Sequence, residues 1–224
     1  NAGLSYNKIK ANSILSSELT KDIQRTVLLP YKNDQSMLSA NAGLSKYLFA
    51  LKATVSLRSS WKSARYNQFI NSEQLSFLNN SFTLNANIDS KLFGKIIFSY
   101  AGNGLWNSSK QIIQQKINVN LNNKTTRFNQ NVSLGFTPNT RLLFLVKGRH
   151  IHSQQADVST ANYLFLDTKI RYKLLKWRTD LEFDLTNVAN IKTYDLFGLS
   201  SNQFSVSSYQ LRGRMGILRA TFIL

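Results

Sequence analysis

The stretch that decides the fold is Phe49-Ala50-Leu51-Lys52-Ala53-Thr54-Val55-Ser56-Leu57-Arg58-Ser59-Ser60-Trp61. Its odd positions read Phe, Leu, Ala, Val, Leu, Ser, Trp, and its even positions Ala, Lys, Thr, Ser, Arg, Ser. Side chains alternate between the two faces of a strand, so a period of two predicts a strand with one apolar and one wet face. Residues 82–89 repeat the pattern, with Phe82, Leu84, Ala86 and Ile88 against Thr83, Asn85, Asn87 and Asp89. Residues 177–186 repeat it again, with Trp177, Leu181, Phe183 and Leu185 against Arg178, Asp180, Glu182 and Asp184. Weaker alternation covers residues 38–44, 94–100, 128–136, 142–146, 164–174 and 218–224.

Working outward, the connections alternate in length. Short ones are expected at residues 45–48, 90–93, 137–141 and 174–177, and longer polar ones at 62–72, 102–110, 153–160 and 191–208. Gly102-Asn103-Gly104 reads as a turn signal. Short and long connections in alternation are how an outer-membrane barrel is built, with tight periplasmic turns and extended outer loops. The pattern requires residues 112–136 to form one long strand, and its apolar parity slips near residues 122–127, which predicts a bulge there. The expected fold is therefore all-β: antiparallel up-and-down transmembrane barrel strands, about ten of them, in one domain over residues 1–224.

The chain has 224 residues and no cysteine, and 28 Lys and Arg against 11 Asp and Glu give a net charge of +17. Fourteen Phe, nine Tyr and three Trp argue against disorder. The longest pure apolar run is residues 142–146, far short of the ~18 of a membrane helix. The segment from Asn1 carries no signal-peptide pattern, so an export signal for an outer-membrane protein is expected upstream. Cations and aromatics fall on opposite faces, whereas a nucleic-acid platform interleaves them, so no nucleic-acid partner is expected. The positive charge is read as lining a water-filled lumen and its rims, facing lipid phosphates and anionic solutes. Trp61, Trp106, Trp177, Tyr163, Tyr172, Tyr194 and Tyr209 lie near expected strand ends and are read as aromatic girdles.

Chemical constellations are sparse. His150 and His152 share a strand face but lack a nearby carboxylate, and read as rim residues rather than a metal pair. Asp180, Glu182 and Asp184 would repel one another unless cations faced them, and Lys169, Arg171 and Lys173 on the preceding strand supply those cations. A structural charge ladder of Lys169, Arg171, Asp180 and Glu182 is expected, with paired positions summing to 351, so that Arg171 faces Asp180 and Lys169 faces Glu182. At the 137–141 turn, Phe136 is expected opposite Leu142 and Leu134 opposite Phe144. No catalytic motif, metal site or cofactor is indicated, and the chain is not expected to be an enzyme.

Tyr163-Leu164-Phe165-Leu166-Asp167 with Ile170-Arg171-Tyr172-Lys173, then residues 181–190 with Tyr194, then Tyr209 and Arg212-Gly213-Arg214 leading to Phe222-Ile223-Leu224, resemble the C-terminal strands of a TonB-dependent transporter barrel of the Bacteroidetes kind. The middle piece resembles that family's Asn-x-x-Asn-x-x-x-Tyr segment. The resemblance implies a barrel of about 22 strands with an N-terminal plug, of which this chain supplies less than half. It also implies localisation in a bacterial outer membrane, contact with its lipids and lipopolysaccharide, a small nutrient ligand and a surface lipoprotein partner.

The expected function is transport: the barrel wall and outer loops of such a transporter. Val55, Leu57, Phe82, Leu84, Ile88, Leu181, Phe183 and Leu185, with Phe49 and Leu51, should face lipid, and Lys52, Arg58, Asn85, Asp180 and Glu182 the lumen. Two rival readings are a complete ten-stranded barrel acting as adhesin or enzyme, and a soluble basic β-protein that binds nucleic acid.

Overall fold

A computed structural model of the chain describes residues 1–19, 24–70, 73–92, 94–112, 123–155, 159–199 and 204–222. The described strands are β1 (Ala2–Ala11), β2 (Ile14–Leu19), β3 (Gln24–Leu29), β4 (Asn33–Leu48), β5 (Ala53–Ile70), β6 (Glu73–Leu92), β7 (Ile96–Gln111), β8 (Asn123–Asn139), β9 (Leu142–Gln155), β10 (Ser159–Leu174), β11 (Thr179–Thr186), β12 (Thr193–Leu199), β13 (Phe204–Gln210) and β14 (Met215–Phe222). Ten of them form one antiparallel ladder in the order β1-β4-β5-β6-β7-β8-β9-β10-β11-β14. The protein is all-β, and the ladder is open: among the described residues β1 and β14 do not pair.

One end of the ladder carries only tight turns. They lie between β4 and β5, β6 and β7, β8 and β9, and β10 and β11. Three of the four expected positions move as a result. The β4–β5 connection is a 3-10 turn at Phe49–Leu51 closed by Lys52 in the left-handed region, φ 43°, so Phe49, Leu51 and Lys52 lie in a turn and not on a strand face. Residues 45–48, expected as the turn, belong to β4. The β10–β11 connection is built the same way, with Leu175–Trp177 and Arg178 at φ 45°. Neither turn contains the Gly or Asn that announces a left-handed residue, which explains their displacement.

The β8–β9 hairpin closes at Asn139 opposite Leu142, where Asn139 Oδ1 accepts from the backbone N–H of Arg141 (2.9 Å) and Leu142 (3.0 Å). Thr137 and Pro138 then oppose Leu143 alone, and beyond this bulge Phe136 pairs with Phe144 and Leu134 with Val146. The expected pairs, Phe136 with Leu142 and Leu134 with Phe144, are two residues out of register. The bulge accommodates Pro138, which has no N–H to give to a ladder. Between β7 and β8 the register runs unbroken from Ser109–Asn123 to Ile96–Phe136, so no bulge lies at residues 123–127. The rest of the expected long strand, residues 113–122, lies outside the described residues, as do Ile223 and Leu224.

At the other end, residues expected as long loops are strand. β5 runs to Ile70, β6 starts at Glu73, and β7 continues through residues 102–110. Gly102 and Gly104 are therefore mid-strand rather than turn residues. A Cβ on Gly102 would lie 2.5 Å from the Tyr100 hydroxyl, and one on Gly104 2.6 Å from the Trp106 ring. Both glycines make room for an aromatic ring to lie flat along the strand. Most of residues 191–208 belong to the hairpin β12–β13, paired from Thr193–Gln210 to Leu199–Phe204.

Apart from the bulge at Thr137–Pro138, register carries each face across the ladder. One row reads Trp61–Phe82–Trp106, the next turnward rows Ser59–Leu84–Gly104–Phe128 and Leu57–Ala86, and a further one Val55–Ile88–Tyr100–Val132. On the same face Leu134, Val146, Ile170, Phe183 and Leu218 follow toward β14. The opposite face carries Arg58, Asn85, Asn103, Asn129, Arg149, Lys147, Asp167 and the β10–β11 charges. The apolar face is open to its surroundings: Leu134 is 49% exposed, Leu164 57% and Phe183 43%. Apolar residues that are buried lie mostly on or beside the polar face, at the end away from the tight turns. They are Ile14, Leu75 and Phe77 toward β2, and Ile151, Ala161 and Phe197 toward β12, and the exception is Ala53, beside the β4–β5 turn.

Two hairpins cause that burial. β2 pairs in parallel with the far end of β5, Ser16 with Phe69 and Ser17 with Ile70, and Gln68 Nε2 donates to Ser17 Oγ at 3.2 Å. Where β4 parts from β5, Asn33 takes over: its Nδ2 donates to the Asn67 carbonyl (3.2 Å) and its Oδ1 accepts from Asn67 N–H (3.4 Å). The hairpin β12–β13 lies over β9 and β10.

Candidate functional site

The polar face is where recognition chemistry collects. Its central row is an amide ladder: Asn85, Asn103 and Asn129 are successive register partners, and Asn103 Nδ2 donates to Asn85 Oδ1 at 2.7 Å. Asn129 Oδ1 is buried and accepts no hydrogen bond among the described residues.

The hairpin β12–β13 bounds this face at one end. Arg127 Nη2 donates to the Phe197 carbonyl, and Asp195 N–H donates to the Tyr163 hydroxyl at 3.1 Å. Tyr194 stacks on Tyr209 with centroids 5.0 Å apart and meets Tyr163 and Phe165 edge-on at 6.0 and 5.9 Å. Tyr163, Tyr194 and Tyr209 were expected in a girdle. They form instead a cluster joining the hairpin to the polar face, because Tyr163 has the parity of Asn129 and Ile151 rather than that of Leu164. Trp61 and Trp106 do share one row on the apolar face, bridged by Phe82, while Trp177 lies in a tight turn.

The neck of that hairpin uses both asparagines of the Asn-x-x-Asn segment. Asn187 and Asn190 are left-handed, φ 50° and 57°. Asn187 Nδ2 donates to the carbonyls of Ile191 (2.7 Å) and Arg212 (2.9 Å), its Oδ1 accepts from Ile191 N–H (2.9 Å), and its own N–H reaches Asp167 Oδ1 (2.8 Å). Asn190 Oδ1 accepts from Arg214 N–H at 3.0 Å. The sequence spacing flagged these residues without indicating this role.

The four residues of the expected ladder meet with a corrected register. Pairs sum to 353 rather than 351: Arg171 faces Glu182, Lys169 faces Asp184 and Lys173 faces Asp180. The cause is the four-residue turn, which adds Arg178 to the loop and moves Thr179 opposite Leu174. Parity is unchanged, so both faces keep their residues. Lys169 Nζ bridges Glu182 Oε2 (3.2 Å) and Asp184 Oδ1 (3.3 Å), and Arg219 Nη1 reaches Glu182 from β14 at 3.2 Å. Arg171 and Asp180 do not form an ion pair.

Glu182 is thus the shared acceptor, with 16% of its side chain exposed. A double-mutant cycle on Lys169→Met and Glu182→Gln is expected to show a coupling of about 0.5–1 kcal/mol in urea titrations. The cycle on Arg171→Met and Asp180→Asn should be additive. Coupling in the second pair and none in the first would restore the 351 register.

His150 Nε2 lies 2.6 Å from Asn162 Oδ1, and His152 packs 6.0 Å from the Phe128 ring. Among the described residues no three His, Asp or Glu side chains converge in a way that holds a metal. The polar face offers amides, hydroxyls and charges for binding and orienting a polar solute. No protein-family model, curated protein or solved structure matches this chain.

Proposed function

We propose that the chain is part of the wall of a bacterial outer-membrane barrel, with the apolar face against lipid and the polar face lining a water-filled passage for a nutrient solute. One observation carries this reading: the exposed apolar face is a band of membrane height with an aromatic upper edge. From Ala53 to Trp61 the band takes nine residues of β5, and from Ile96 to Trp106 eleven of β7. A tilted strand crosses a bilayer's apolar core in about 9–11 residues. Beyond the Trp61–Phe82–Trp106 row the same face turns polar, with Ser63, Asn80, Ser108 and Lys124 in register.

The surface area points the same way. The chain exposes 15389 Å², whereas a compact soluble monomer of its mass exposes about 10,400 Å². A contiguous apolar face of this kind needs a partner of its own polarity, and lipid supplies one without a specific interface. Within the band β5 to β9 are paired on both sides, as hydrocarbon requires, whereas β1, β14, residues 44–48 of β4 and residues 160–165 of β10 each keep one edge without a strand partner among the described residues. Further strands of a larger barrel pairing with those edges would close the wall. The resemblance from Tyr163 onward makes a TonB-dependent transporter the specific form of the proposal, with the hairpin β12–β13 on the outer side.

The test uses single-tryptophan variants in vesicles containing brominated lipid. Trp61 and Trp106 are expected to be quenched most strongly by bromine near the headgroups, and a tryptophan placed at Asn103 hardly at all. A chain that stays monodisperse without detergent, with Trp61 and Trp106 unquenched, would overturn the membrane reading.

A further inference from the structure

At the tight-turn end of the polar face lies an open pocket of about 420 Å³ lined by Lys95, Thr137, Thr140, Arg141, Arg171 and Lys173, together with apolar side chains of β9. Among the described residues no Asp or Glu lines it. We propose that this pocket binds a small multivalent anion, a solute carrying phosphate groups or several carboxylates.

The cations around the pocket lack counter-charges. Along the rest of the β10–β11 face opposite charges alternate and touch, as Lys169 does with Glu182 and Asp184. Around the pocket the alternation stops. Glu182, the register partner of Arg171, is engaged by Lys169 and Arg219, and Asp180, the register partner of Lys173, lies outside ion-pair distance. None of the four cations forms an ion pair among the described residues. Like charges gathered without counter-charge repel, so the arrangement is most stable with an anion among them.

The four cations come from three separate places, the β6–β7 turn, the β8–β9 turn and β10, so backbone register fixes their approach. Thr137 Oγ1 donates to the Lys95 carbonyl at 3.1 Å, tying the first two together, and Lys173 N–H donates to the Arg141 carbonyl at 2.8 Å, tying the second to the third. Arg171 offers a planar fork suited to phosphate or carboxylate, and the lysines offer point charges. The volume is that of a small-molecule site. Because Arg171 and Lys173 have polar-face parity, a solute on that side reaches them, whereas lipid headgroups lie against the other face. The inference holds whichever medium covers the apolar face.

The test is calorimetric titration of the whole chain, in an uncharged maltoside detergent, with sodium pyrophosphate at constant ionic strength. Saturable one-to-one binding is expected, weakened about tenfold by Arg171→Gln or by Lys173→Gln, and unchanged by Lys147→Gln, an exposed cation elsewhere on the same face. Should Arg171→Gln fail to fold, Lys95→Gln in the exposed turn reads the same loss. No saturable binding, or equal weakening by Lys147→Gln, would overturn the proposal. Repeating the titration in nanodiscs separates the sources: pyrophosphate binding abolished by phosphatidylglycerol but not by phosphatidylcholine would identify a lipid headgroup and overturn the solute assignment.

Discussion

Val132→Lys is expected to destabilise the protein folded into phosphatidylcholine vesicles by about 2–4 kcal/mol, while Ser133→Lys next to it changes that stability by less than about 0.5 kcal/mol. Val132 pairs with Tyr100 and Gly148 on the apolar face and is 41% exposed. It sits near mid-height in the band that runs on β7 from Ile96 to Trp106. An ammonium there has no water within reach in lipid, and its stem is too short to bring it to either headgroup layer. Ser133 pairs with Ser99 and Lys147 on the polar face, where a further cation stays hydrated.

The contrast between the neighbours is the informative quantity, since strand propensity and local charge change alike in both. Urea titrations of vesicle-inserted protein followed by tryptophan fluorescence measure it. In a water-soluble sheet a 41%-exposed valine would accept lysine at little cost. Equal, small effects at the two positions would therefore exclude lipid from this face.

How much of this was legible in the sequence follows from which signal each residue carried. Period two needs only the residue's own polarity, so Val55, Leu57, Leu84, Ile88, Phe183 and Leu185 were placed on one face, and Arg58, Asn85 and Glu182 on the other, as the register has them. Register itself depends on where a turn closes, and there the signal failed. Lys52 and Arg178 occupy left-handed conformations that their side chains do not advertise, and each shifts its turn onto residues that alternation had assigned to strand. The β10–β11 pairs moved by two as a consequence, which preserves faces but changes every partner.

Strand length was hidden for a different reason. Above the Trp61–Phe82–Trp106 row the outer face turns polar and the alternation is lost, so residues 62–70 and 107–111 carry no period-two signal while forming ladders of backbone hydrogen bonds. β1 escaped because Lys8 and Lys10 break the run begun by Leu4 and Tyr6 on one face. The basic pocket was invisible because its cations come from three stretches far apart in sequence, around Lys95, around Arg141 and at Arg171 and Lys173, which meet only through the register of the ladder.

Asn187→Ala is expected to open the β12–β13 hairpin locally and to raise its rate of proteolytic cleavage by roughly two orders of magnitude, with a much smaller change in unfolding of the ladder. The Asn187 side chain makes three hydrogen bonds across the neck, to Ile191 twice and to Arg212 once. Losing them leaves partly buried backbone groups without partners, at about 0.5–1.5 kcal/mol each. A left-handed alanine adds about 1 kcal/mol, because its Cβ crowds the following carbonyl. Together they amount to about 2.5–5.5 kcal/mol, so cleavage that follows the open population rises by roughly two orders of magnitude or more.

Asn187→Gly separates the two contributions, since glycine keeps φ near 50° without strain but supplies no amide. It should fall between wild type and Asn187→Ala. The loss is confined to the neck because the remaining anchors, Arg127 to the Phe197 carbonyl and the Tyr163–Tyr194–Tyr209 cluster, hold the hairpin rather than the ladder. Limited proteolysis with mass-spectrometric mapping of cuts within residues 191–214 reads the result directly. Wild-type protection in Asn187→Ala would mean that those anchors alone position the hairpin over the polar face, and that the paired asparagines serve only the backbone reversal.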